Sequence, residues 1–405
     1  MEKEFIRETQ HTVTLNVTAG SIDSFRELEI TTGTVRIYEN GCIGVAGCLG
    51  GPDEDALTEQ AKEALSFGIP YPCQLEGAAE LIELDDEEII PVPELIPTMR
   101  SFLNRLSAQC PKMAFSNKIN LTYKKTEYRN SRGRHLLSSG GQLSIELIAQ
   151  NRGSGNLFDT AFIWAGKHFD PDAVLSYFKE QYDAFYVPAT LEAGRYPVIA
   201  APENIFSTFL QHFVGDLYIA GSSLLSGKLG EKIFHDKLTL RDDLNPASSF
   251  VNCFFDAEGC VAKDYRAVLI ESGVLKGLLT TRKTAEQYGL TNLGTADAPY
   301  DGVPQIGFHS CSLEQTADTL KELVPGKAVY VIIASGGDTT PDGHFATPVQ
   351  MAYLMEDGHI VGRLPEIAVS GNFFDMLGKD YLGTVHNCPF EKSELTAVMM
   401  DVKEN

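Results

Sequence analysis

The sequence predicts an α+β fold: an N-terminal mixed α/β domain, residues 1–188, followed by a strand-rich C-terminal domain, residues 189–405, that contains antiparallel sheet. Three observations predict it. Tight-turn signals recur between apolar stretches in both halves of the chain. Amphipathic helical patterns lie between those signals. The segment Tyr186 to Pro197 carries prolines and glycine without periodicity and reads as the linker between the halves.

Four segments carry the turn signal: Tyr38-Glu-Asn-Gly-Cys-Ile43, Phe255-Asp-Ala-Glu-Gly-Cys-Val261, Ile270-Glu-Ser-Gly-Val-Leu275 and Met355-Glu-Asp-Gly-His-Ile360. In each, a glycine follows Asn, Asp, Ser or Glu, which supports the positive φ angles of a hairpin. Asp53 to Phe67 places Leu57, Ala61, Ala64 and Leu65 at helical spacing, with acids in the first turn facing the positive end of the helix dipole. Pro97 to Ala108 reads as a second helix. Pro171 to Tyr182 reads as a third, with Asp170 as cap and proline in the first turn. Glu203 to Phe213 and Leu313 to Leu323, the latter capped by Ser312, complete the expected helices.

Composition narrows the function. Hydrophobic residues make up 43% of 405, enough for substantial cores, and that length suggests two domains. The net charge of -22 argues against a nucleic-acid partner, because phosphate contact needs a basic face. The longest basic run is Lys124-Lys125, and the cluster from Arg129 to Arg134 reads as a solvated loop. The first ten residues lack the apolar run of a signal peptide. The strongest apolar stretch, Ala328 to Ala334, is far below the ~20 residues of a membrane span. Eight scattered cysteines form no Cys-x-x-Cys pair and read as reduced thiols of a cytoplasmic protein.

Common catalytic templates are absent: no His-Glu-x-x-His, no Gly-x-Ser-x-Gly, no phosphate-binding loop. The glycine clusters Gly47 to Gly51 and Ser335 to Asp338 read as turns. Two places offer metal-ligand chemistry. Within Phe209-Leu-Gln-His-Phe-Val-Gly-Asp-Leu217, His212 and Asp216 stand four residues apart, which on a helix shares one face. Such a pair binds a metal only if a third ligand arrives; otherwise it is a capping or salt-bridge pair on a half-buried helix. Near the C-terminus, His386-Asn387-Cys388-Pro389 offers an imidazole and a thiol, which read as a third ligand, a nucleophile or simply a packed thiol.

Read in order, several segments resemble the TldD/TldE family, also called PmbA and "modulator of DNA gyrase". Gly33-Thr-Val-Arg-Ile-Tyr-Glu-Asn-Gly-Cys-Ile-Gly44 resembles its N-terminal strand pair, and Asn130-Ser131-Arg132-Gly133 its Asn-Ser-x-Gly turn. Tyr196-Pro-Val-Ile-Ala-Ala-Pro-Glu203 resembles the strand that opens its C-terminal domain. Ser222 to Ile233 and Phe255 to Cys260 are similar to its central stretch, and Val369-Ser-Gly-Asn-Phe-Phe-Asp-Met-Leu377 to its Gly-Asn-x-x-(Asp/Glu)-Met-Leu segment. The resemblance implies a zinc motif His-Glu-x-x-x-His in TldD-type chains, with a Cys near the C-terminus as a further ligand. Laid on this chain, the motif falls on Gln211 to Asp216: Gln211 and Asp216 stand where the histidines would be, and His212 where the Glu would be. Cys388 falls loosely at the Cys position. The resemblance therefore implies the TldE/PmbA branch: no cofactor in this chain, zinc in a TldD-type partner, and a heterodimer acting on unfolded or precursor peptides. Two alternatives stay open. One is an altered metal site built from His212, Asp216 and His386 or Cys388; the other is a homodimeric peptide-binding scaffold. Direct contact with nucleic acid or membrane is expected of none of them.

Overall fold

The structure, a computed structural model, describes residues 1–72, 74–247, 253–386 and 394–404. The N-terminal half is built on long antiparallel strands. β1 (Glu2–Thr18), β2 (Ser21–Glu39) and β3 (Cys42–Leu49) form a meander. The turn between β2 and β3 holds Asn40 at φ 52° and Gly41 at φ 74°, as its sequence predicts. After α1 (Glu54–Ala64) and the short β4 (Ile69–Pro70), β5 (Ala79–Leu84) runs parallel to a later strand, and α2 (Val92–Gln109) follows. β6 (Met113–Asn130), β7 (Arg134–Asn151) and β8 (Thr160–Gly166) continue the sheet, and α3 (Pro171–Phe185) closes the half. The eight strands order as β4-β3-β2-β1-β6-β7-β5, with β8 on β7.

Period-two alternation gives the sheet two unlike faces. Phe5, Val35 and Ile37 pack on Leu57 and Ala61 of α1, while Val13, Leu15 and Val17 pack on Leu95, Met99 and Phe102 of α2. The opposite face carries Glu4, Ile6 and Glu8 beside Arg36, Thr34 and Thr32 of β2 and Asn130, Tyr128 and Thr126 of β6. The helix starts follow their predicted caps. Asp53 accepts from the backbone N–H of Asp55 and Ala56, and Asp170 from those of Asp172 and Ala173.

The C-terminal half begins with β9 (Gly194–Ala200), which lies inside the segment read as linker; before it, Val187 to Ala189 hydrogen-bonds with Arg363. There follow α4 (Pro202–Leu210), α5 (Gly215–Ile219), β10 (Leu240–Asp243), β11 (Arg266–Glu271), β12 (Val274–Leu275), α6 (Arg282–Tyr288), β13 (Ala296–Asp297), β14 (Gln305–Ile306), β15 (Cys311–Leu313) and α7 (Leu320–Leu323). The chain ends with β16 (Lys327–Ala334), β17 (Asp338–Thr339), β18 (His344–Glu356), β19 (His359–Arg363), β20 (Ile367–Asn372), α8 (Phe373–Met376), β21 (Tyr381–His386) and β22 (Glu394–Glu404). The order β16-β9-β22-β20-β18, with β16 also pairing β18, closes the sheet on itself. One apolar cluster runs from α2 and α3 of the first half to Ile199, Tyr330, Tyr353 and Ala397 of this closed sheet.

Three expectations change. Ile270–Leu275 and Met355–Ile360 are hairpins, with Ser272 and Asp357 at positive φ. Phe255–Val261 is instead a loop, because the Asp256 carboxylate takes the N–H groups of Glu258 and Cys260 and winds the chain around itself. Leu313 to Leu323 is strand β15, a connection and one turn of helix capped by Thr319, because β15 pairs with β10. Glu203 to Phe213 is α4 followed by a 3₁₀ turn, Gln211–Phe213, and the helix does not reach Asp216. Among the described residues no helix is long and apolar enough to cross a membrane.

Candidate functional site

The residues aligned with the zinc motif do not converge. Val214, at φ -62° and ψ 120°, breaks the backbone between the 3₁₀ turn and α5, so His212 and Asp216 lose the common helical face. Gln211 is exposed and its Nε2 donates to the Thr208 carbonyl. The His212 Nδ1 accepts from the Leu224 N–H at 3.3 Å, its Nε2 is buried without a partner among the described residues, and burial lowers its pKa. Asp216 is exposed and faces the hydroxyl of Tyr288. His386 donates from Nε2 to the Leu313 carbonyl at 2.7 Å, beside the Glu394 carboxylate at 3.5 Å. Cys388 lies outside the described residues. The side chains that are described do not fit a zinc ion: they sit on separate elements, and Gln211 offers an amide already turned to the backbone.

A second group has ligand-like spacing. Ligand atoms of Asp256, Glu258 and Cys260 lie within 4.8 Å of one another and all three residues are buried. Their lone pairs are already engaged. Asp256 Oδ1 accepts from the Glu258 and Cys260 N–H groups and Oδ2 from Ala296 N–H. Glu258 Oε1 accepts from the Tyr71 hydroxyl at 2.6 Å and from Arg282 Nε at 3.2 Å, and Oε2 from the Arg282 N–H at 2.7 Å. The Cys260 thiol accepts from Asn292 Nδ2, and burial first, then Asp256 and Glu258, hold its pKa well above the usual thiol value. A metal here would meet the Arg282 guanidinium and a protonated thiol, so this group does not fit one either.

What the group does is join the two halves. Arg282, at the start of α6, reaches Glu258 from the same half and Glu4 of β1 from the other. Glu4, wholly buried, also accepts from the hydroxyls of Tyr38 and Tyr128 at 2.8 Å each and lies 3.5 Å from Arg36 Nη1. Arg36 in turn donates to the Ala257 carbonyl at 2.5 Å. Burial pulls the Arg282 pKa down, and Glu4 and Glu258 more than offset it, so the guanidinium stays charged. Burial, then the Glu258 charge, push the Asp256 pKa up to about 7. Gly259, at φ 69°, lies under the Tyr128 ring, where a Cβ would sit 2.3 Å from the nearest ring carbon; only glycine fits.

Beside this junction opens a cavity of about 370 Å³ between the polar sheet face and the C-terminal loops. Arg36, Thr126, Lys124 and Glu8 line one wall; Cys253, Asp256, Asp297 and His309 line the other. His309 Nδ1 lies 2.9 Å from Asp242 Oδ2, while Asp242 Oδ1 accepts from the N–H groups of His309 and Ser310. Burial lowers the His309 pKa and Asp242 raises it more, for a net rise. The Cys253 thiol is pushed up to about 12 by burial and is no nucleophile.

None of Glu4, Arg36, Glu258, Arg282 or His309 stands out in the sequence as a site residue. The available signal was a charge set among apolar strand residues: Arg36 stands between Val35 and Ile37, and Glu4 precedes Phe5 and Ile6. The basic cluster from Arg129 to Arg134 is consumed in contacts, with Arg129 on Glu54 and Glu127, Arg132 on Glu2, and Arg134 on the Gly259 carbonyl. The six described cysteines are free thiols.

Residues 193–387 match the family described as the PmbA/TldA metallopeptidase C-terminal domain. The fold of the whole chain is that of TldE: the crystal structure of TldE from Thermococcus kodakarensis superposes with a TM-score of 0.79 at 20% identity, covering 100% of this chain and 96% of that one. A proposed modulator of a DNA gyrase from Thermotoga maritima superposes at 0.76 and 18%, over 99% and 96%. Among curated relatives, a metalloprotease of Methanothermobacter thermautotrophicus is 31% identical over 193 residues, 46% of this chain and 42% of the relative. A zinc metalloprotease TldD homolog of Saccharolobus solfataricus is 27% identical over 276 residues, 63% and 61% respectively. The chain thus matches about half the length of these relatives.

Proposed function

We propose that this chain is the TldE-type, non-catalytic subunit of a two-chain metallopeptidase that acts on unfolded or precursor peptides, in the cytoplasm. Its partner is a TldD-type homologue that carries the zinc. The observation that carries this reading is the segment Gln211 to Asp216, where an exposed amide, a half-buried imidazole and an exposed carboxylate lie on two elements separated by an extended Val214. That dispersal supports the reading, since activating a water needs ligands that converge on one metal. The polar face of the long N-terminal strands suits a role in shaping a peptide chamber, since extended peptides are gripped through main-chain and alternate side-chain contacts.

The test is metal content and peptide hydrolysis of the purified chain, alone and mixed with a TldD-type partner. The expected result is no zinc and no hydrolysis alone, with hydrolysis and about one zinc per partner chain in the mixture. Stoichiometric zinc and hydrolysis by the chain alone would overturn the reading.

A further inference from the structure

Half of β2 has a strand on one side only. β1 pairs with it along almost its whole length, whereas β3 joins its other edge only from Thr32 to Glu39. The Gly50 N–H, donating to the Thr31 carbonyl at 2.8 Å, ends that ladder. From Asp23 to Ile30 no strand lies along the outer edge among the described residues. The Thr31 carbonyl points outward, and the N–H and C=O of one strand residue point to the same side. Alternation therefore directs the main-chain groups of Glu29, Glu27 and Phe25 outward too. The register to β1 runs unbroken through them, and its one shift lies between Asn16 and Val17. From Asp23 to Ile30 every residue but Leu28 is exposed, Phe25 at 58% and Ile30 at 42%. From Phe25 onward neither proline nor a bulge guards this edge; only charge does.

That charge selects the occupant. Register to β1 puts Phe25, Glu27 and Glu29 on the face of Leu15, Val13 and His11, and Arg26, Leu28 and Ile30 on the face of Thr14, Thr12 and Gln10. One flank of the edge is thus acidic and the other ends in apolar side chains. A second copy fits badly. Any twofold antiparallel pairing centred from Phe25 to Glu29 sets like charges opposite: Asp23 against Glu27 about Phe25, Glu27 against Glu29 about Leu28, and Arg26, Glu27 or Glu29 against itself at the other centres. We propose that the β2 edge binds an extended peptide as an added antiparallel strand, with basic side chains beside Glu27 and Glu29 and apolar ones beside Leu28 and Ile30. The outward N–H and C=O groups of Phe25, Glu27 and Glu29 hold its main chain. His11 already lies 2.8 Å from Glu27, so Glu29 is the stronger anchor. That the peptide is a substrate bound for a catalytic partner rests on the function proposed above; the strand pairing does not.

The experiment is calorimetric titration of the full chain, without a partner, with an N-acetylated, C-terminally amidated hexapeptide that alternates lysine and valine, and with the same peptide carrying glutamate for lysine. The lysine peptide is expected to bind at least about tenfold more tightly, because opposite charges replace like ones across the pair. N-methylation of one alternate set of its amides should weaken it about tenfold or more, and of the other set should leave it unchanged. A shift by one residue offers no escape, since it exchanges lysines and valines between the flanks. Phe25→Pro removes one outward N–H, which an edge strand tolerates, and should weaken the lysine peptide about tenfold; Phe25→Thr keeps that N–H and should not. Glu29→Lys, which leaves the backbone intact, should narrow the preference for lysine. Hydrogen exchange across residues 23–30 should slow when the peptide is bound. No binding at millimolar peptide, no preference for lysine, equal loss from both methylated sets or unchanged exchange across residues 23–30 would each overturn the proposal. So would a chain that is dimeric in its natural form and monomeric as Phe25→Pro, because a second copy would then hold the edge. Binding is read without zinc or hydrolysis, so this proposal and the function proposed above fail separately.

Discussion

The junction around Glu4, Glu258 and Arg282 and the turn from Gln211 to Asp216 both concentrate residues of functional type, and they differ in what surrounds them. At the junction each charge meets an opposite charge or a phenol across the two halves, and burial is complete. At the turn Gln211 bonds a backbone carbonyl, His212 accepts a backbone N–H and Asp216 faces the Tyr288 hydroxyl, so each has its own partner and nothing draws the three together. The difference teaches that residue type does not make a site; uncommitted lone pairs or donors brought together do. By that measure the acid-rich Asp256–Cys260 loop is structural.

The comparison can be broken most sharply at Arg282. Arg282→Ala leaves Glu4 and Glu258 buried without their shared cation and should destabilise the chain by about 3–5 kcal/mol, read by urea denaturation. An unchanged midpoint would mean that the junction does not couple the halves. Titration gives the next effect. Burial raises Asp256 to about 7, and burial raises Glu394 to about 8, against ordinary values near ~4 for unfolded carboxyls. Between ~4 and these values the native state holds protons the unfolded state has lost, so these groups make stability fall as pH rises, levelling above about 8. Glu394→Gln, which keeps an acceptor for the Leu313 N–H, should shrink that decline and remove its upper portion, measured as thermal midpoints against pH.

At the turn the expected effects are small. His212→Ala loses one long hydrogen bond and contact with the Phe209 ring, for about 1–2 kcal/mol, and should leave metal content unchanged. Asp216→Asn, on an exposed side chain, should stay within about 0.5 kcal/mol. Loss of bound zinc in either variant would restore the altered-metal-site alternative.

Much of the fold was legible from local signals. The Asn40-Gly41, Ser272-Gly273 and Asp357-Gly358 turns and the Asp53 and Asp170 caps act within four or five residues, so their chemistry decides the backbone directly. Phe255–Val261 misled because its acid serves as a backbone acceptor, which looks identical in sequence to a hairpin turn. Leu313 misled because pairing with Leu240 overrides a weak helical pattern.

By itself, then, the sequence determined the α+β class, the positions of most turns and caps, the absence of a His-Glu-x-x-x-His motif and the acidic balance. These depend on local backbone preference and on residue identity. Only the tertiary structure decided that Glu4 meets Arg282 across 278 positions, that β16 closes onto β18, that Val214 parts His212 from Asp216, and that Arg36 and His309 line one cavity. Those facts rest on long-range pairing and burial, where each group's partner is set by the whole fold and is written in no short stretch of chain.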